Sequence, residues 1–156
     1  MNDPFETKLT THSPDETEAA GAGLAHTLQN DSTLPRFIAL YGDLGVGKTA
    51  FVRGFASVIS PGSAVRSPTF ALVNEYRRGA CPVFHFDMYR IQDDDELYSS
   101  GFYDYEGRGG YCLAEWCENI PWALPPQYLR VEISKTENEN DRQITIKRVN
   151  AQEADK

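Results

Sequence analysis

The sequence predicts an α/β fold in three layers around a mixed central β-sheet, and three observations predict it. A short apolar run ends in a glycine-rich loop and resumes as a helix with one apolar face. Two pairs of extended segments are each joined by a short turn. Helical and extended patterns alternate along the chain without an internal repeat. At 156 residues the chain is the size of one domain and can bury roughly two-thirds of the surface it exposes when unfolded. A single domain is expected over 1–149, followed by a tail over 150–156, "NAQEADK", too polar to pack and therefore mobile.

Each element has its own signal. Ser13, followed by Pro14 and by Glu16 three residues on, reads as a helix N-terminus leading into "DETEAAGAGLAHTLQN". "RFIALYG" is a buried strand. Phe51, Val52, Phe55, Val58 and Ile59 recur at helical spacing, so Lys48 and Thr49 open a helix. "TFALVNEYRR" and "CPVFHFDMYR", separated by Gly79 and Ala80, read as an antiparallel hairpin. "DDDELYSS" is a short acidic helix, "GFYDYEGRGG" an aromatic, glycine-rich loop with exposed rings, and "YCLAEW" another buried strand. "YLRVEISK" and "RQITIKRV" form a second hairpin around "TENEND".

Between the first strand and its helix lies "GDLGVGKT", Gly42 to Thr49. The pattern G-x-x-x-x-G-K-[ST] is a phosphate-binding loop, so the fold expected is P-loop NTPase-like. Glycines let backbone N–H groups wrap phosphates, the lysine reaches the outer ones and the hydroxyl holds magnesium. The candidate nucleotide-binding residues are thus Gly42, Asp43, Leu44, Gly45, Val46, Gly47, Lys48, Thr49 and Ala50, with the positive end of the following helix facing the phosphates. Asp43 would lie near the γ phosphate. Lys48 is expected to be exposed when no nucleotide is present.

Such a site needs an acid at the end of a neighbouring strand, because magnesium takes oxygen ligands and Thr49 supplies one. In "VFHFDMYR" the period of two places His85 and Asp87 on one face and Phe84, Phe86 and Met88 on the other. In "YCLAEWC" the apolar run ends in Glu115. Either acid can bind the metal directly while the other orients water. Lys48, Asp87 and Glu115 are therefore the candidate catalytic groups, and Thr49, Asp87 and Glu115 the candidate metal ligands. Among the arginines Arg66, Arg77, Arg78, Arg90 and Arg108, the strongest phosphate partner is Arg90, three residues beyond Asp87. Trp116 follows Glu115 and reads as core or as contact. In "RSPTF", Ser67 and Thr69 flank a proline before a strand, where a turn or a nucleotide-sensing switch fits.

Composition narrows the classes. A net charge of −8 and no evident basic cluster argue against direct nucleic-acid binding. Cys81, Cys112 and Cys117 lack metal or disulfide spacing and read as reduced thiols. "MNDPFETKLTTHS" has no apolar signal region, and no run reaches membrane-spanning length, so a cytoplasmic location is expected. A small-molecule kinase is the alternative enzyme, with "YEGRGG" as its lid, but no acceptor motif accompanies it. No N-K-x-D guanine motif follows the loop.

"GDLGVGKT", "SPTFALVNEY", "HFDMYR" and "AEW", in this order, resemble the TsaE (YjeE) family, the small ATPases of bacterial tRNA threonylcarbamoyladenosine synthesis. The resemblance spans Gly42 to Trp116, with the N-terminal helix and the acidic segment also fitting. It implies ATP or ADP and Mg2+ as cofactors and a switch-like segment at Ser67 to Phe70. It also implies essential acids at Asp87 and Glu115, with Tyr89, Arg90 and Trp116 beside them. It further implies a TsaB–TsaD complex as partner, reset between turnovers by ATP hydrolysis. Phe102 and Tyr103 are expected near the contact with that partner. Val46 and Ala50 stand where small or hydroxyl residues are frequent in the family, and neither touches the chemistry.

Overall fold

The computed structural model describes residues 5–43, 45–68 and 72–150. Their order is β1 (Glu6–Thr11), α1 (Pro14–Asn30), β2 (Phe37–Tyr41), α2 (Lys48–Ile59), β3 (Val73–Tyr76), β4 (Val83–Asp87), α3 (Asp94–Ser99), α4 (Phe102–Tyr105), β5 (Tyr111–Glu115), β6 (Gln127–Lys135) and β7 (Arg142–Asn150). Among the described residues the strands form one sheet in the order β1-β7-β6-β2-β5-β4-β3. The central strands run parallel, β6 with β2, β2 with β5 and β5 with β4, while β1, β7 and β3 are added antiparallel at the two sides. The sheet is mixed, as the sequence predicts.

β2 is buried along its whole length, "FIALY", which is why it reads as an unbroken apolar run. Ile38 and Leu40 join Phe51, Val52 and Phe55 of α2 on one side, and Phe37, Ala39 and Tyr41 join Phe86, Phe102 and Ile120 on the other. Helices α1 and α2 therefore cover one face and α3 and α4 the opposite one, giving three layers. Phe51 and Phe55 are fully buried, and truncating such a ring to alanine costs about 3–5 kcal/mol. The first layer is unusually close: a Cβ on Gly21 would lie 2.0 Å from the Phe51 carbonyl, and one on Gly54 would lie 1.7 Å from that of Glu18. Only glycine lets these backbones touch.

Ser13 caps α1 by accepting a hydrogen bond from the Glu16 amide at 3.2 Å, while Glu16 accepts from the His12 amide at 2.8 Å. Asp93 caps the acidic helix α3 in the same way, at 2.9 Å from the Glu96 amide.

Three elements differ from the sequence expectation. β1 lies in the polar N-terminal stretch and pairs with β7; as an edge strand it turns only Leu9 and Thr11 inward, so its apolar signal is minimal. The first hairpin closes through 77–82 rather than at Gly79 and Ala80 alone, because its turn is fixed to the end of α2. Ser60 Oγ accepts from the Arg78 amide at 2.7 Å, and a Cβ on Gly79 would meet the Ile59 carbonyl at 1.8 Å. The expected aromatic loop contains α4 and a 3-10 turn, and Phe102 is buried edge-on against Phe37 and Phe86 at 5.9 and 5.2 Å. Asn150 ends β7 opposite Gln127; residues 151–156, the rest of the expected tail, lie outside the described residues, as do Leu44, Thr69 and Phe70.

Candidate functional site

β2, β4 and β5 end side by side, and the phosphate-loop sequence leaves the C-terminal end of β2, the place where open α/β sheets bind ligands. Gly42 has φ 143°, and a Cβ there would sit 2.4 Å from the Ile133 carbonyl on β6. Gly47, at φ 113°, is the N-cap of α2 and supplies no side-chain acceptor, so the first-turn N–H groups are left for an anion. Val46 anchors the loop in the core, and Arg142 of β7 donates from Nε to the Val46 carbonyl at 3.0 Å. Asp43 and Gly45 are exposed, and Ala50 is half-buried in the first turn of α2.

Lys48 corrects the sequence expectation. It is only 5% exposed: its Nζ donates to the Gly42 carbonyl at 2.6 Å and lies 4.1 Å from the centre of the Trp116 ring. Trp116 reaches it because its backbone turns into the left-handed region, φ 62°, the one non-glycine residue to do so among those described. Such a conformation costs on the order of 1–3 kcal/mol and persists where the surroundings enforce it. Tyr89 packs edge-on against the same indole at 4.9 Å. Trp116 is thus a contact of the loop lysine as well as a partly buried ring.

Asp87 and Glu115 are register partners on β4 and β5. The expected period of two holds: Phe84, Phe86 and Met88 pack into the core beneath α3 and α4, leaving His85 and Asp87 on the α2 side. Asp87 Oδ1 accepts from the Tyr89 amide at 2.9 Å. Burial raises the Asp87 pKa and neighbouring Glu115 adds to the rise, against the opposing Tyr89 hydrogen bond and the charges of His85 and Lys48. Glu115 is buried, with Oε2 2.6 Å from His85 Nε2.

Thr49 Oγ1 lies 2.7 Å from Ser67 Oγ, so the switch-like segment reaches the metal-ligand candidate. Its neighbour Arg66 is held through its carbonyl by Asn74 Nδ2 at 3.0 Å and the Tyr76 hydroxyl at 3.2 Å. Tyr76 also lies 3.1 Å from His85 Nδ1. Neither Tyr76 nor Arg142 stands out in the sequence; their roles come from pairing across the sheet, which only the register reveals.

Arg90 is exposed in a groove with Asp95 and Glu96, and among the described residues no hydrogen bond or ion pair joins it to the loop or the acids. Arg77 and Arg108 are engaged with Glu75 at 2.6 and 3.8 Å. Cys117 is buried, its thiol pushed well above its ordinary range by burial and directed at the Ala114 carbonyl.

Among the described residues no three His, Cys, Asp or Glu side chains form a metal cluster. The oxygens of Thr49, Asp87 and Glu115 instead fit an ion such as Mg2+ that is shared with nucleotide phosphates, since Mg2+ is usually held by one or two carboxylates plus substrate oxygens. Lysine, glycine loop and helix N-terminus together suit an anionic phosphate chain.

The family model described as threonylcarbamoyl adenosine biosynthesis protein TsaE matches residues 11–144. The tRNA threonylcarbamoyladenosine biosynthesis protein TsaE of Bacillus subtilis is 36% identical over 139 residues, 89% of this chain and 84% of that protein. The protein of the same name from a Nostoc species is 34% identical over 146 residues, 90% and 85% of the two chains. A crystal structure of YdiB from Bacillus subtilis superposes with a TM-score of 0.71 at 29% identity, covering 97% of this chain and 91% of that one. No helix among the described residues is long and apolar enough to cross a membrane.

Proposed function

The chain belongs to the TsaE family, and on that premise we propose that it is the ATP-hydrolysing subunit of tRNA threonylcarbamoyladenosine synthesis, acting on a TsaB–TsaD complex that it resets between turnovers. The observation that carries this reading is that Asp87 and Glu115 are register partners at the ends of β4 and β5, beside β2, whose loop leads into Lys48 and Thr49 at the start of α2, with the charge of Lys48 acting on Asp87. A lysine, a hydroxyl and two carboxylates around one glycine loop are what phosphoryl transfer to water requires.

Lys48 exchanges the Gly42 carbonyl for the outer phosphate oxygens of ATP, and the loop amides with the N-terminus of α2 hold the remaining charge. Thr49 and Asp87 supply oxygens to the metal. When bound, Mg2+ neutralises charge on the phosphates as it builds in the transition state. Glu115, fixed by His85, orients the attacking water. Trp116 keeps water and bulky groups from one side of the lysine. Arg90 has no part in this scheme.

Phosphate release from MgATP by the full chain, with and without the TsaB–TsaD pair, tests the reading. Slow hydrolysis alone and a rise with the pair are expected. Absence of hydrolysis in both conditions would overturn it.

A further inference from the structure

Behind the candidate acids runs a buried polar chain that phosphate binding does not use. Glu115 Oε2 meets His85 Nε2 at 2.6 Å, His85 Nδ1 meets the Tyr76 hydroxyl at 3.1 Å, and that hydroxyl donates to the Arg66 carbonyl at 3.2 Å. Glu115 is 5% exposed, His85 0% and Tyr76 6%. One residue on, Ser67 Oγ touches Thr49 Oγ1 at 2.7 Å. The polar path thus joins the water-orienting acid on β5 to the segment that contacts the metal-ligand candidate on α2.

We propose that Tyr76 and His85 are positioning residues that couple the Arg66–Ser67 segment to the carboxylate of Glu115. A movement of Ser67 against Thr49 then reorients Glu115. This rests on the reading of Glu115 as the acid that orients water. Two features make the path a coupler rather than merely a satisfied core. Both linkers are rings with two side-chain torsions, closely surrounded: Tyr76 lies at the edge of the core beneath α2, and His85 sits between Tyr76 and Glu115 on adjacent strands. A displacement at one end is therefore passed on rather than absorbed by loose rotamers. The Tyr76 hydroxyl also has one hydrogen and two partners in reach, the Arg66 carbonyl and His85 Nδ1, which accepts when the ring hydrogen is on Nε2. If the carbonyl moves away, the hydrogen turns to the imidazole, which fixes Nε2–H on Glu115.

Tyr76→Phe deletes the hydroxyl and keeps the ring. In the full chain it is expected to lower the hydrolysis rate about fivefold, the loss of one hydrogen bond's worth of positioning, while the Kd for ATP stays unchanged. Amide exchange over 63–68 should quicken in the nucleotide-free protein. The rate effect should vanish when Glu115→Gln is already present, the mark of a shared pathway in a double-mutant cycle. His85→Gln, which retains a donor towards Glu115, should keep more activity than His85→Leu and carries the same comparison if Tyr76→Phe does not fold. Wild-type rate and exchange in a folded Tyr76→Phe protein, or full additivity with Glu115→Gln, would overturn the coupling. If wild type itself releases no phosphate the proposed function fails, and the coupling is then decided by exchange alone: Glu115→Gln must also alter exchange over 63–68, and an unchanged pattern refutes it.

Discussion

The ammonium of Lys48 is held 2.6 Å from the Gly42 carbonyl, so the loop's own backbone engages the lysine that the proposed function assigns to the outer phosphates. On the proposed function, bound ATP draws the ammonium, which has three N–H donors, towards phosphate oxygens and loosens this bond, which meanwhile helps to fix the loop.

Lys48→Ala therefore has two consequences. Hydrolysis is abolished and ATP affinity falls, because the charge on the outer phosphates loses its partner. The protein is also destabilised, by about 1–2 kcal/mol, since one hydrogen bond and the contact with Trp116 are lost. Calorimetric titration with ATP checks the first consequence and urea unfolding the second; unchanged affinity would remove the lysine from the site.

Trp116 reports on the same exchange. If Lys48 leaves the indole when ATP binds, the fluorescence of Trp116 must change. Trp122 is half-exposed and donates to Asp94 at 2.8 Å, outside the loop contacts. In a Trp122→Phe protein, MgATP is expected to alter the remaining tryptophan signal with saturation, and Lys48→Ala is expected to remove the response. A flat titration in a protein that binds ATP would show that Lys48 stays on the ring.

Asp87→Asn and Glu115→Gln keep shape and remove charge. Each is expected to slow hydrolysis by at least tenfold, about 1.4 kcal/mol in the barrier. A fall in phosphate-release rate smaller than about tenfold in both variants would take both acids out of the mechanism.

Asp87 carries an opposite signature in stability. Its folded pKa is raised, chiefly by burial, so in the window between the unfolded and folded values the native state binds more protons than the unfolded one. Stability then falls as pH rises through that window, and the charged form is a burden at neutral pH. Asp87→Asn should accordingly raise the melting temperature at pH 7 relative to wild type, with the gain shrinking as pH falls through the window from the raised folded value to the ordinary aspartate value. A variant that is less stable at pH 7 would mean that the carboxylate is stabilised by partners other than those seen.

Much of this site is written in short range. The loop, its flanking strand and helix, and the alternation that sets His85 and Asp87 apart from Phe84 and Phe86 all depend on neighbours within a few residues. What is not legible depends on register. Tyr76 becomes a partner of His85 because Asn74 and His85 are paired on β3 and β4, and Arg142 reaches Val46 across 96 positions. β1 is hidden for another reason: an edge strand with one face in solvent needs few apolar residues. Phe102 shows the converse error, for aromatic density in a glycine-rich stretch looks like exposed surface until the second face of the sheet is seen to need covering.

That burial of Phe102 redirects the prediction about partners. With 2% exposure it cannot lie at a docking surface, and Phe102→Ser would test folding instead. The exposed rings of the same layer are Tyr98 at 74% and Tyr103 at 37%, 6.5 Å apart, with Tyr103 donating to Asp94, which also accepts from Trp122. Tyrosine and tryptophan beside acidic groups suit a protein contact, because each ring offers apolar area at little entropic cost and a polar edge. If the TsaB–TsaD pair docks on these rings, a Tyr98→Ser, Tyr103→Ser protein should hydrolyse ATP alone at the wild-type rate and lose most of the stimulation by the pair. It should also retain less of the pair in a pull-down. Full stimulation of the correctly folded double variant would move the contact elsewhere on the molecule. Loss of the unstimulated rate would show instead that the rings support the site, through α3 and the turn that carries Tyr89.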